Sequence, residues 1–287
     1  MKIGMNLLLW TARPDFKKNE SLVRQIKNWG FDGIELPASA VNEKDCERFR
    51  KLCKELQMGI TTVMALNGNE CDPISDNMNK RDKAVDEIKK AIDKTVALGG
   101  DILTGPLYQG IGSFSGQGPL KNEWLRAIET ISKVGEYASK VKVKLALEPL
   151  NRYESYLFNT LSDGYKFVKD VGMDNIGLLA DTYHSNIEEK NVKEAWEKVI
   201  DKIYHVHIAE NDRGTPGSGH AIPKEIFKML TEEGYDGWLV IEAFSNKLPD
   251  LIPSMHIWRS FTPTDDEVAI DGLKFIREML LQTDNVR

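Results

Sequence analysis

The sequence contains few cysteines, and their positions argue against a disulfide-stabilised protein. Cys46, Cys53 and Cys71 are the three cysteines among 287 residues, and no two of them form a CxxC pair. An odd number of thiols without paired spacing does not fit the disulfide framework of a small secreted domain. The chain also enters an apolar segment directly, without the pattern of a signal peptide. We therefore expect free thiols and a cytoplasmic protein.

Long apolar runs and an excess of positive charge are also missing. No stretch approaches the roughly 20 consecutive apolar residues of a membrane-spanning helix, so we expect no membrane partner. The formal net charge is −6 and the sequence pI is about 5.5. A nucleic-acid interface usually needs a basic face, so this balance predicts no nucleic-acid partner. With 41% hydrophobic and 29% charged residues, the composition is that of an ordinary globular domain.

What the sequence does contain is an eightfold alternation of short apolar segments and amphipathic segments. The apolar segments predict strands at residues 2–10, 31–36, 59–66, 101–107, 143–147, 175–180, 203–209 and 238–243. Eight such units in a chain of this length predict a (β/α)₈ TIM barrel of the α/β class, as a single domain over residues 1–287. A doubly wound open sheet is the alternative. The glycine-rich turn that binds dinucleotides in such sheets is absent after the first strand.

Four of the predicted strands end in residues that bind metals. Glu148 follows an apolar strand that Pro149 cannot continue, and Asp181, His207 and Glu242 lie at the ends of strands six to eight. The carboxyl ends of barrel strands form the active site, so these side chains can converge on one point. Three carboxylates and one imidazole favour Mn²⁺, Mg²⁺ or Co²⁺ over structural zinc. Any one of them could be a capping or salt-bridging residue, but four matched positions favour one metal site.

Three further polar residues lie in the loops next to these ligands. His184 comes three residues after Asp181 and can donate to a substrate oxygen in the same cavity. Glu154 could bind a substrate hydroxyl, and Arg213 is the prominent cation of the turn-rich loop AENDRGTPGSGH. Each could instead be a solvated loop residue, which is the usual state of exposed charges. Glu35, near the end of the second strand, is ambiguous and receives no role.

Several motifs together resemble one enzyme family over nearly the whole chain. They are GMNLLLW, GFDGIEL, EPLNRYES, VKDVG, DTYHSNIEE, HVHIAENDRGTPGSGH, IEAF and HIWR. The chain resembles the ketose 3-epimerases of the tagatose and allulose (psicose) type, which belong to the xylose-isomerase-like barrels. EPLNRYES, DTYHSNIEE and the loop that carries the arginine are specific to this resemblance, whereas GFDGIEL recurs in relatives with other activities.

The resemblance implies a role for each candidate residue. One divalent ion, Mn²⁺ above all, with Co²⁺ or Mg²⁺ as alternatives, would be bound by Glu148, Asp181, His207 and Glu242. The two glutamates would also be the catalytic acid–base pair, and the C1 to C3 oxygens of the ketose would contact Glu154, His184 and Arg213.

Asn6 and Tyr108 are further substrate-binding candidates. An aromatic residue often replaces Asn6 in the family, and the loop after Tyr108 lacks a tryptophan that some members carry. The resemblance also implies a homodimer or homotetramer.

The function expected from this resemblance is metal-dependent epimerisation at C3 of free ketohexoses or ketopentoses. Example pairs are D-tagatose/D-sorbose, D-fructose/D-allulose and L-ribulose/L-xylulose. One glutamate would remove the C3 proton, and the other would return a proton to the opposite face of a cis-enediolate. The alternatives are an aldose–ketose isomerase of the hydroxypyruvate-isomerase kind, a polyol dehydratase and a non-catalytic sugar-binding protein. A multi-zinc endonuclease of the same superfamily is remote, because the chain has five histidines and an acidic pI.

Overall fold

A computed structural model of the protein describes residues 1–284 and contains a closed barrel of eight parallel strands. Each strand pairs with the next, and the eighth pairs with the first. The strands are β1 (Lys2–Asn6), β2 (Gly33–Pro37), β3 (Gly59–Val63), β4 (Ile102–Gly105), β5 (Lys144–Leu147), β6 (Ile176–Asp181), β7 (Ile203–Ile208) and β8 (Trp238–Ile241). The predicted (β/α)₈ fold is confirmed. The last three residues of the predicted domain lie outside the described range.

Amphipathic helices surround the barrel. The helices within the described range are α1 (Phe16–Trp29), α2 (Glu43–Glu55), α3 (Met78–Leu98), α4 (Lys121–Lys140), α5 (Leu161–Val171), α6 (Thr182–Glu188), α7 (Val192–Glu197), α8 (Glu225–Glu232), α9 (Ile252–Met255) and α10 (Asp265–Asp284). Short 3-10 turns occupy Leu7–Leu9 and Ile200–Lys202. No helix within residues 1–284 is long and apolar enough to cross a membrane.

Several element ends differ from the prediction, since β3 ends at Val63 rather than at residue 66, and β4 at Gly105 rather than at residue 107. Two further differences lie next to the site. The first strand was expected to reach residue 10, but it ends at Asn6, whose side chain accepts the Leu8 N–H at 2.8 Å and caps a 3-10 turn. The sequence predicted no helix directly after Asp181, but this segment forms α6. The Asp181 carboxylate accepts the Tyr183 N–H at 2.6 Å, and this N-cap interaction explains why a helix begins there.

The strands lack polar–apolar alternation because they are covered on both sides. All residues of β2 and β6 are buried, as expected for parallel strands between a packed barrel interior and an outer layer of helices. Charged residues at such positions are therefore unusual. In this barrel the charged candidate ligands lie at the strand ends, next to a cavity. At two of them, Glu148 and Glu242, the backbone still bonds to the neighbouring strand, just beyond the end of β5 and of β8. The Glu148 N–H donates to Gly105 O at 3.1 Å, and the Glu242 N–H donates to Ile208 O at 3.2 Å.

Candidate metal centre and sugar cavity

The four predicted metal ligands converge at the carboxyl ends of β5 to β8. Glu148, Asp181, His207 and Glu242 each offer one ligand atom, and these atoms all lie within 4.8 Å of one another. All four side chains are buried, with no residue more than 5% exposed. Four strands that are consecutive around the barrel thus deliver three carboxylates and an imidazole to one small volume.

The donor set fits a divalent cation. No hydrogen-bond partner within residues 1–284 reaches Nδ1 of His207, although the ring is completely buried. This nitrogen lies 3.4 Å from Glu242 Oε1 and 3.9 Å from Asp181 Oδ2. A buried polar atom without a partner costs free energy, and a cation among these oxygens would use its lone pair. Oxygen-rich ligation with one nitrogen matches the preferences of Mn²⁺ and Mg²⁺.

Close packing of acids perturbs the carboxylate pKa values in different directions. Burial raises the pKa of Glu148 well above its ordinary value, and the neighbouring Glu242 raises it further. Burial also raises the pKa of Asp181, to about 6, against the opposing effect of Arg213. At Glu242 burial acts in the same direction, but the neighbouring His207 and Arg213 outweigh it and lower the pKa. The cluster therefore holds both a group that retains its proton and a group that ionises readily.

Arg213 is the cation that faces this cluster. Its Nη1 donates to Asp181 Oδ2 at 3.1 Å and also to Glu242 Oε2. The guanidinium carbon lies 3.9 Å from the centre of the Tyr183 ring, so the group is held by a cation–π contact as well. The backbone of Arg213 has a φ of 61°, which is uncommon for a residue other than glycine. Such conformations cluster at functional sites, where the surroundings hold them.

Hydrogen-bond donors lie next to both ring nitrogens of His184. The backbone N–H of Asn151 can only donate, and it lies 3.0 Å from Nδ1, so Nδ1 is the acceptor. Burial and the nearby Arg213 lower the pKa of His184 well below its ordinary value, so the ring is neutral. Nε2 lies 3.1 Å from Arg213 Nη2, which can also only donate, and 3.5 Å from Glu148 Oε1. Asn151 also donates to Glu154 Oε1 at 2.7 Å, which links two of the predicted substrate contacts.

A cavity of about 430 Å³ opens above the cluster. Five of the predicted site residues line it, namely Glu148, Glu154, His184, Arg213 and Glu242. Leu8, Leu66, Ile111, Leu251 and Met255 form part of an apolar wall. A mostly apolar cavity with a few convergent polar groups is the usual form of a small-molecule site.

Two predicted substrate contacts lie outside the cavity wall. The Asn6 side chain is completely buried, accepting the Leu8 N–H and donating to Glu35 Oε1 at 3.0 Å. The Tyr108 ring is also completely buried, stacked 3.7 Å from Phe158, and its hydroxyl accepts the Leu150 N–H at 3.2 Å. Their polar atoms are thus engaged by the protein itself. We do not propose a substrate contact for either residue.

The sequence interpretation gave no role to Glu35 or to the apolar wall. Glu35 is completely buried and accepts a hydrogen bond of 2.7 Å from His207 Nε2. A carboxylate within the otherwise apolar segment FDGIEL was the available signal, because a fully buried strand rarely carries an unpaired charge. The wall residues gave no such signal, since they come from several separate loops and resemble ordinary core residues.

Comparisons with known proteins agree with the fold. Residues 23–279 match the family model of the xylose isomerase-like TIM barrel. A protein of Synechocystis sp. named "Probable ketose 3-epimerase" is 32% identical over 279 residues, which cover 97% of this chain and 96% of the relative. The structure of an L-ribulose 3-epimerase matches with a TM-score of 0.93 and 32% identity over 99% of this chain and 96% of that chain.

A D-allulose 3-epimerase of Methylomonas sp., solved in complex with D-allulose, is a further structural neighbour. It matches with a TM-score of 0.90 and 26% identity over 97% of each chain. Similarity thus extends over nearly the full length of the relatives, and it includes the strands that carry the buried ligand cluster. The chain belongs to the xylose isomerase-like TIM barrel family and, within it, to the ketose 3-epimerases.

Proposed function

We propose that the protein is a metal-dependent epimerase that inverts C3 of free ketohexoses or ketopentoses. The observation that carries the proposal is the convergence of Glu148, Asp181, His207 and Glu242 within 4.8 Å in a chain of this family. Family members named for L-ribulose and D-allulose make these two sugars the first substrates to test. D-Fructose, D-tagatose, D-sorbose and L-xylulose complete the candidate pairs.

The four clustered residues would hold one divalent ion, with Mn²⁺ preferred and Co²⁺ or Mg²⁺ as alternatives. Such an ion supplies Lewis acidity, which lowers the pKa of a proton next to a ketone. The fit rests on the unpartnered Nδ1 of buried His207 and on the three carboxylates around it.

Glu148 and Glu242 would transfer the protons. Both side chains line the cavity, Glu148 after β5 and Glu242 after β8, with β6 and β7 between them. Carboxylates that arrive from separate strands can act on opposite faces of one carbon. One glutamate would take the C3 proton and leave a cis-enediolate, and the other would return a proton to the opposite face. A single base would return the proton to the face from which it came, so the pair accounts for inversion.

The remaining polar groups would hold the sugar. His184 and Glu154 line the cavity, where the imidazole would contact a ketose oxygen and the Glu154 carboxylate would accept from a hydroxyl. Among the described residues that line the cavity, Arg213 is the one lysine or arginine, and its Nη1 already pairs with Asp181 and Glu242. A phosphate group would therefore meet several carboxylates without a free cation, which favours unphosphorylated sugars.

We further propose a cytoplasmic homo-oligomer, either a dimer or a tetramer. Exposed apolar side chains on the loops after β4 and β5 support self-association, because Phe114 is 51% exposed and Tyr153 is 75% exposed. Cys46, Cys53 and Cys71 are free and buried, which suits a reducing compartment.

The proposal is tested by stripping the protein with a chelator, restoring Mn²⁺ and separating the products by chromatography. We expect L-ribulose to give L-xylulose and D-allulose to give D-fructose, with the activity lost on chelation and regained with metal. Formation of an aldose instead would assign an aldose–ketose isomerase to the same site. If the protein binds Mn²⁺ but converts none of the tested ketoses, the proposed substrate class is contradicted.

A further inference from the structure

Glu35 lies beneath the ligand cluster, inside the barrel. It belongs to β2, and in the sheet its backbone is in register with Asn6 of β1 and Thr61 of β3. The side chain is completely buried. Removing a carboxylate from water costs free energy unless charged or hydrogen-bonded partners compensate. The contacts of Glu35 should therefore explain why an acid is buried at this position.

The two oxygens of Glu35 are surrounded by donors. Oε1 accepts from Asn6 Nδ2 at 3.0 Å and from His207 Nε2 at 2.7 Å. Oε2 accepts from Thr61 Oγ1 at 3.0 Å, and His205 Nε2 lies 3.0 Å away from it. A carboxylate has about four acceptor positions, and hydrogen bonds use three of them, because His205 Nε2 has no hydrogen-bond partner within residues 1–284. Asn6 and Thr61 therefore fix the carboxylate against the ring of His207.

The bond to Glu35 decides which nitrogen of His207 carries a proton. An ionised carboxylate can only accept, so Nε2 is the donor. In the neutral ring Nδ1 then presents its lone pair, and Nδ1 is the nitrogen that faces Asp181 and Glu242. Carboxylates that accept the second N–H of a metal-binding histidine fix its tautomer and its orientation in this way.

We propose that Glu35 is a positioning residue that holds His207 with Nδ1 ready for the metal. The inference rests on the proposed metal site and adds a residue that lies outside the four ligands. It explains why a buried acid occupies an otherwise apolar strand. It also gives Asn6 a place in the site, as a support for Glu35 rather than as a substrate contact.

A second metal ion held by Glu35, His205 and His207 is the competing interpretation, since their ligand atoms also lie close together. Such an ion would need the lone pair of His207 Nε2, and the ring proton would then move to Nδ1. The site formed by Glu148, Asp181 and Glu242 would lose its nitrogen ligand. The 2.7 Å bond between His207 and Glu35, together with the donors from Asn6 and Thr61, favours the positioning role.

The test compares Mn²⁺ binding to wild type, Glu35→Gln, Glu35→Asp and Thr62→Val, measured from the electron paramagnetic resonance signal of free Mn²⁺. Glu35→Gln removes the charge, and Glu35→Asp keeps the charge but shortens the reach to His207. Both should weaken Mn²⁺ binding by about 10–100-fold, the usual cost of losing such a partner. If Glu35→Gln does not fold, the Mn²⁺ affinity of Glu35→Asp tests the proposal instead.

Thr62→Val is the matched control, because Thr62 is the next buried threonine of β3 and bonds to Thr95 and to Ile102 O rather than to Glu35. It should lower the melting temperature without changing the affinity for Mn²⁺. A ring spectrum of ¹⁵N-histidine protein loaded with diamagnetic Mg²⁺ should show the His207 proton on Nε2. A proton on Nδ1 would contradict the proposal, as would two bound Mn²⁺ ions per chain.

The outcomes separate the two proposals. If wild type binds no Mn²⁺, the metal site itself is refuted, and the role of Glu35 is refuted with it. If wild type binds Mn²⁺ and both Glu35 variants bind it equally well, the positioning role alone is overturned. Equal weakening by Thr62→Val would assign Glu35 a purely structural part in the barrel core.

Discussion

At the scale of single residues, the two candidate acid–base groups have the same side chain and different surroundings. Glu148 lies next to Glu242 and Asp181, and burial among acids keeps its pKa high. Glu242 faces His207 and Arg213, which lower its pKa. Environments that drive two carboxyl groups apart in this way are typical of sites that use one group as an acid and the other as a base.

Both glutamates are needed if the reaction uses two bases. Glu148→Gln and Glu242→Gln should each lower kcat by about 10²–10⁴-fold, the usual contribution of a positioned proton-transfer group. The assay is epimer formation at saturating Mn²⁺, with metal occupancy measured for each variant. Glu136→Gln, an exposed position on α4, is the control for loss of one carboxylate and should keep wild-type activity. Either active-site variant retaining more than about a tenth of the wild-type rate would contradict the two-base scheme.

Metal affinity should increase with pH. The raised pKa values of Glu148 and of Asp181, the latter about 6, mean that the metal-free site holds protons that a cation must displace. Lowering the pH adds protons to these groups, so Mn²⁺ binding should weaken as the pH falls from about 8 to about 6. Calorimetry in buffers of different ionisation enthalpy measures the protons released. Binding without proton release, and with constant affinity over this range, would contradict the pKa directions.

Sequence alone could identify the ligands but not the residue beneath them. A carboxylate or an imidazole at a strand end is visible as a break in an apolar segment, as at Glu148. The role of Glu35 depends on contacts with His207, 172 residues away in sequence, and on the depth at which β2 carries it. Arg213 was recognised as a candidate, but its bonds to Asp181 and Glu242 depend on a loop conformation that no sequence pattern specifies.

At the scale of secondary-structure elements, the end of β4 supports the position of Glu148. Gly105 accepts the Glu148 N–H, and its φ of 118° is one that residues with side chains rarely adopt. A Cβ atom at Gly105 would lie 2.1 Å from the carbonyl oxygen of Met64, so no side chain fits there. The end of β4, which accepts the Glu148 N–H, is therefore held by close contact between the backbones of Gly105 and Met64.

Gly105→Ala should be much more destabilising than a matched glycine substitution. Gly112 also has a positive φ, of 73°, but nothing lies within 4 Å of a Cβ built there. A φ of 118° is also farther from the left-handed helical region than one of 73°, so Gly105→Ala adds both backbone strain and a clash. Gly105→Ala should therefore cost about 1–3 kcal/mol more, the range of forced overpacking. Urea denaturation measures the difference, and equal midpoints with equal slopes would show that β4 adjusts freely.

The elements themselves were largely predictable, and the exceptions have physical reasons. Uninterrupted apolar segments such as Gly33–Pro37 identify strands covered on both faces. The end of β1 was placed too late, because Leu7–Leu9 is as apolar as the strand before it and turns only where Asn6 provides a cap. Helix α6 was missed because Asp181 was interpreted as a ligand alone, whereas its second oxygen also caps that helix.

At the scale of the whole molecule, closure of the barrel assembles the site. β1 pairs with β8, and this contact brings residues from the two ends of the sequence around one axis. The eightfold alternation was enough to predict this closure and the side of the barrel on which the ligands meet. The shape of the cavity could not be predicted, because residues as distant in sequence as Leu8, Leu66 and Met255 form its apolar wall.

Proton exchange with solvent at C3 tests the central claim most directly. The protein is incubated in D₂O with L-ribulose or D-allulose, once with Mn²⁺ and once with a chelator, and proton NMR follows each carbon of the sugar. We expect metal-dependent loss of the C3 proton signal together with formation of the C3 epimer, because the returned proton comes from a carboxyl group that exchanges with solvent. Deuterium at C1 with formation of an aldose, or epimer formation that persists without metal, would contradict the account.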